Sequence, residues 1–182
     1  MSVLQAQPKI GNTTTFNLAR WHGLLSEPIL KKIEARIETD RFGRAVLTPP
    51  ADPEHGGKQC DIGLLIAQLL PGGRIQVESP ISTSEGVKVA DVIWCSKERM
   101  SQIKHRSALL AAPEICIEVL SPSNTREEMA EKKRLYFEAG AHEVWFCSRA
   151  GEISFYVSAK PTTAKKHSAI CPKMPSRLPE EP

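Results

Sequence analysis

Aromatic residues are scarce, at 5% of 182 residues, which argues against a surface built to stack unpaired bases. No run approaches the ~18 uninterrupted apolar residues of a membrane-spanning helix. Residues 1–11 lack the basic-then-apolar pattern of a secretory leader, so a cytoplasmic protein without membrane contact is expected. The five cysteines include no CxxC and no Cys/His pair at zinc spacing. Their odd number speaks against a disulfide framework, and they read as small buried hydrophobes or inert thiols. The formal charge of +3 is too slight to indicate nucleic-acid binding by itself. A claim of that kind must rest on local arrangement.

The composition, 41% hydrophobic and 25% charged, is ordinary for a globular chain, and the length suits one domain with tails. Residues 1–25 read as a partly mobile arm and 26–158 as the folded domain. Residues 159–182 form a Pro/Lys-rich tail expected to be disordered. Apolar Ile29, Leu30, Ile33 and Ile37 recur at helical spacing, which predicts a helix over 26–38. A strand is expected at 44–48, a helix at 59–70 and strands at 74–78, 87–94 and 115–120, with a weakly patterned helix-compatible run at 97–110 between the last two. Thr125 to Glu128 has the capping-box pattern and Gly140 a helix-stop position, which predicts a helix over 125–139. Segments 144–147 and 153–157 read as a hairpin. The alternation implies an α/β or α+β layered fold.

Asp91 and Glu118 each interrupt an apolar strand. A buried carboxylate is costly unless paired, hydrogen-bonded or bound to a cation, so the two invite a shared metal. Outward-facing or singly salt-bridged acids are the simpler alternative. On the 125–139 helix, Lys132 and Lys133 fall within the apolar arc around Met129, Tyr136 and Phe137. Either lysine reaches back toward Glu118 or snorkels to the rim. Ser121, Ser123 and Arg126, beside the N-cap Thr125, could receive a phosphate together with Lys133. Glu38 reads as a helix-end acid, and His55 as a loop histidine without a catalytic role.

These residues occur in a frame that resembles the Uma2 (DUF820) family of the PD-(D/E)xK nuclease superfamily. The likeness runs through a helix ending in Ile37-Glu38, a strand closing in Thr48-Pro49-Pro50 with Pro53-Glu54-His55-Gly56 after it, Val89-Ala90-Asp91-Val92 and Pro113-Glu114-Ile115-Cys116-Ile117-Glu118-Val119-Leu120-Ser121-Pro122-Ser123. It continues with Glu131-Lys132, Tyr136, Ala139-Gly140 and Glu143-Val144-Trp145. The resemblance implies a restriction-endonuclease-like core, a mixed central sheet flanked by helices. It also implies a Mg²⁺-dependent (or Mn²⁺-dependent) endonuclease acting on DNA. Asp91 and Glu118 would be its metal ligands, Glu38 a catalytic acid supplied by the first helix and Lys132 the basic catalytic residue. Leu120 stands where the superfamily has its lysine, and Ala90 replaces the usual proline. A non-catalytic binding module on the same fold is the competing reading, RNA a further substrate class, and a homodimer is compatible with cutting both strands.

Overall fold

The structure is a computed structural model that describes residues 11–179. Its elements run α1 (Asn12–Ser26), a 3₁₀ turn (Leu30–Lys32), β1 (Arg36–Thr39), β2 (Ala45–Thr48), α2 (Pro53–Leu69), β3 (Gly73–Thr83) and β4 (Gly86–Ser96). They continue with α3 (Lys97–Ile103), β5 (Ile115–Val119), α4 (Arg126–Glu138), β6 (Glu143–Cys147), β7 (Ile153–Val157) and β8 (Lys160–Lys165). Six strands form one mixed sheet in the order β3-β4-β5-β6-β7-β8. Only β5 and β6 are parallel, with α4 as their crossover, as parallel neighbours require.

Period-two alternation sends the sheet's side chains to two cores. Val92, Trp94, Ile115, Ile117 and Val119 pack with Ile62 and Ile66 of α2. Ile93, Cys95, Cys116 and Val144 pack on the opposite face with Met100 and Ile103 of α3 and Tyr136 of α4. Each such buried aliphatic side chain contributes about 1.5–3 kcal/mol. The expected capping box is present: Glu128 N–H donates to Thr125 Oγ1 at 3.1 Å, and Thr125 N–H to the Glu128 carboxylate at 3.4 Å. Gly140 ends the helix at φ 104°, a backbone conformation that favours glycine.

Three expectations need correction. There is no helix over 26–38, because Ile29 is 68% and Ile33 41% exposed and their spacing marks no buried face. Glu38 instead lies in β1, which pairs with β2 as a hairpin. The segment expected to be a mobile arm holds α1, whose Trp21 packs on Val87 and Val89. The Asn17 amide of α1 donates to Ser82 Oγ and the Thr83 carbonyl at 2.9 and 2.8 Å. The segment expected to be a disordered tail adds β8 to the sheet and buries Cys171, Met174 and Leu178 in the α2-side core.

Candidate active site

β4 is eleven residues long and β5 only five, and this mismatch creates the site. The two strands pair at Trp94–Ile115, Ile93–Cys116 and Val92–Ile117, then part. The next positions in the same antiparallel register are Asp91 and Glu118. Beyond the parting, the β4 backbone is satisfied by side chains of β1: Val87 N–H donates to Thr39 Oγ1 at 2.8 Å and Val89 N–H to Glu38 Oε1 at 2.9 Å. Gly86 permits this approach, because a Cβ there would lie 2.4 Å from the Thr39 carbonyl oxygen.

Glu38, Asp91, Glu118 and Lys132 line one cleft, with Glu38 coming from a strand and not from the first helix. Lys132 Nζ lies 2.8 Å from Glu38 Oε1 and 3.1 Å from Glu118 Oε2. The lysine reaches inward and does not snorkel, since its side chain is only 9% exposed. Tyr136 Oη, one turn further along α4, donates to Glu118 Oε1 at 2.6 Å. Asp91 Oδ2 accepts from Val119 N–H at 2.6 Å, and Arg36 Nη1 donates to Asp91 Oδ1 at 2.6 Å.

The electrostatics separate these acids. Burial pushes the Glu118 carboxyl up, against the pull of Lys132, to about 7. Burial also raises Glu38, but the Lys132 ammonium and its hydrogen bond outweigh it and hold that carboxyl below its usual range. Asp91 is likewise lowered: burial is offset by His55, by Arg36 and by the Val119 N–H. Burial opposes the charge on Lys132, yet Glu118 and Glu38 more than compensate and its pKa rises. The ammonium thus stays charged near neutrality.

The sequence gives no role to two neighbours of these groups. His55, in the first turn of α2 behind the N-cap Asp52, brings Nε2 to 3.4 Å from Asp91 Oδ1. This contact lacks hydrogen-bond geometry, and among the described residues the buried nitrogen has no hydrogen-bond partner. Glu78 adopts φ 48°, and the β3–β4 ladder omits the Glu78–Asp91 pair while keeping Val77–Val92 and Ser79–Ala90. Gln59 Nε2 donates to Glu78 Oε1 at 2.7 Å. No local pattern marks Glu78, whereas the Asp52-Pro53 helix start is a signal that places His55 on a helix.

A cleft of about 690 Å³ opens over these groups, lined also by Ser121 and Ser123 before α4. Of the residues suggested for phosphate, Arg126 is exposed and outside that lining. Lys133 is turned away, its ammonium 3.8 Å from the Tyr156 ring centroid, where the aromatic face attracts the cation.

A mixed sheet whose central strands part over two buried acids, with a lysine supplied by the following helix, defines a restriction-endonuclease-like α+β protein. The chain belongs to the Uma2 family, whose model, described as "Putative restriction endonuclease", matches residues 28–171. Among solved structures it is similar to a protein described as "a putative nuclease belonging to DUF820" from Anabaena variabilis ATCC 29413. The TM-score is 0.63 at 18% identity, covering 80% of this chain and 82% of that one, a likeness of fold. The search of curated proteins finds no match.

Proposed function

We propose that the protein is a cytoplasmic, metal-dependent endonuclease that hydrolyses phosphodiester bonds in DNA. The observation that carries this reading is the convergence of Glu38, Asp91, Glu118 and Lys132 at the parting of β4 and β5. The donor set fits a divalent cation, because the hard carboxylate oxygens of Glu38, Glu78, Asp91 and Glu118 line one cleft. Asp91 would hold Mg²⁺ or Mn²⁺ with Glu118 as the second acid of the family pattern. When bound, the ion lowers the pKa of water and neutralises charge on the phosphate.

The chain's own groups supply the remainder. Lys132, kept protonated by its two carboxylates, is suited to stabilising a phosphate oxygen and not to accepting a proton. Glu118, near 7, is the acid able to exchange a proton at neutral pH. The hydroxyls of Ser121 and Ser123 and the start of α4 form the rim where a backbone phosphate would lie. Among the described residues no helix is long and apolar enough to cross a membrane.

The test incubates the purified chain with plasmid DNA and Mg²⁺ or Mn²⁺, beside Asp91→Asn, Glu118→Gln and a matched RNA. Cleavage of DNA by the wild type, lost in both variants and in chelator, is the expected result. Cleavage confined to RNA would change the substrate class. DNA binding without cleavage, unaltered by either substitution, would replace the enzyme by a binding module.

A further inference from the structure

We infer that His55 and Glu78 join Asp91 as the cation ligands of this cleft. Their set selects a first-row transition ion of the Mn²⁺, Co²⁺ or Zn²⁺ type over Mg²⁺. This rests on the metal-dependent reading above and goes beyond it in both the ligands and the metal. One ligand atom from each of His55, Glu78 and Asp91 lies within 4.8 Å of the others, although the three come from α2, β3 and β4.

Three independent features point to the same position. The His55 Nε2 atom is buried and makes no hydrogen bond among the described residues, a state that buried polar atoms rarely keep without a ligand, and it lies 3.4 Å from Oδ1 of Asp91, its proposed co-ligand. Glu78 carries a backbone conformation rare for a residue with a side chain, at the one place where the β3–β4 ladder lapses. Strain of this kind gathers at ligand sites. Both outer contacts that would orient the acids are in place, Gln59 on Glu78 and the Val119 N–H on Asp91, as metal ligands require.

Glu118 and Glu38 are held by Lys132, whereas Asp91 and Glu78 are held by Arg36, which an ion would displace. Glu118 places one oxygen on Tyr136 and the other on Lys132, and Glu38 Oε1 is shared between Val89 N–H and Lys132. A set of one imidazole and two carboxylates favours ions that accept nitrogen, whereas Mg²⁺ prefers oxygen throughout.

The experiment titrates the full chain with Mn²⁺ by electron paramagnetic resonance and looks for spin-echo modulation from ¹⁴N. The expected wild-type result is bound Mn²⁺ with an imidazole nitrogen signal and no displacement by equimolar Mg²⁺. In His55→Gln the signal should vanish. In His55→Gln and Glu78→Gln, affinity should fall on the order of 10-fold or more, a larger loss than in Glu118→Gln. The wild-type nitrogen signal decides the matter even where a variant folds poorly. Mn²⁺ bound without nitrogen coupling, and lost in Asp91→Asn but not in His55→Gln, would overturn the ligand set and leave the metal-dependent reading standing. Ready displacement by Mg²⁺ would overturn the selectivity. A wild type that binds none of these ions would remove both readings.

Discussion

Arg36 Nη1 meets Asp91 Oδ1 at 2.6 Å across the floor of the cleft, and its Nε lies 3.4 Å from Glu78. The guanidinium also donates to the Val89 carbonyl. One fixed cation thus neutralises two of the three groups proposed to hold a metal. Burial works against its charge, but Glu118, Asp91 and Glu78 outweigh that and raise its pKa.

Arg36 and a divalent ion therefore compete for the same carboxylates. Arg36→Met should cost about 3–5 kcal/mol in chelator, because it takes the guanidinium from the buried Asp91 carboxylate and leaves it the longer His55 contact. Added Mn²⁺ should then raise the melting temperature of this variant by more than that of the wild type, since stabilisation by a ligand specific to the folded state grows with the logarithm of its affinity. Thermal unfolding with and without Mn²⁺ checks this. Equal shifts in the two proteins would rule out competition.

Lys132 couples two acids from different strands, and the coupling is measurable. Lys132→Met leaves Glu38 and Glu118 facing each other without a cation and should cost about 3–5 kcal/mol. Part of that cost belongs to the abandoned charge on Glu38. Glu38→Gln combined with Lys132→Met should therefore be less destabilised than the sum of the single changes. Urea unfolding of the four proteins provides the cycle, and additivity would show that the 2.8 Å contact contributes little. DNA cleavage by Lys132→Met should fall by more than about 100-fold, the scale of losing one preorganised charge donor.

How far the sequence reveals this site follows from which contacts are local. The capping box at Thr125 and the stop at Gly140 act within one helix, so the helical period by itself puts Lys132 on the inward arc of α4. The apolar runs around Asp91 and Glu118 likewise mark central strands. Glu38 falls on the wrong element by pattern, because Ile29, Leu30, Ile33 and Ile37 imitate a helix while the four residues of β1 are fixed by the β2 hairpin and by the edge of β4. His55 and Glu78 acquire their roles only when α2 and β3 are brought against β4. Met174 and Leu178 are isolated apolar residues in a polar tail, and their burial depends on a core whose α2 and β4 residues lie far earlier in the chain.

The acids of the cleft should respond to pH in opposite directions. Glu118 releases its proton near its ordinary 4.5 in the unfolded chain but at about 7 in the fold. Its contribution to stability is therefore greatest below the unfolded value and is lost as pH rises through 7. Glu38 and Asp91, lowered in the fold, stabilise above their unfolded values and lose that effect as pH falls. Glu118→Gln cannot ionise, so its melting temperature relative to the wild type should rise between about pH 5 and about pH 8 in chelator. The slope is the informative quantity, because the new amide also meets Lys132 at a cost independent of pH. A flat difference would mean that Glu118 ionises as easily in the fold as outside it.

Glu143 fastens the C-terminal segment to the sheet. Its carboxylate accepts from Trp145 Nε1 and Ser168 Oγ at 2.6 Å each. It also accepts from the backbone N–H groups of Ala169 and Ile170 at 2.6 and 2.9 Å. Glu143→Ala leaves all of these donors without an acceptor, and an orphaned buried donor costs about 1–3 kcal/mol. The segment should then detach before the sheet unfolds, freeing the backbone beside the already exposed Lys173 and Arg177 for trypsin. Met174→Ala, which removes a fully buried side chain, should cost about 2–5 kcal/mol through the cavity it leaves without releasing the Glu143 contacts. Faster trypsin cleavage at these sites in Glu143→Ala than in Met174→Ala, at matched global stability, identifies the carboxylate as the fastening. Equal cleavage rates would assign that role to the apolar packing of Met174 and Leu178.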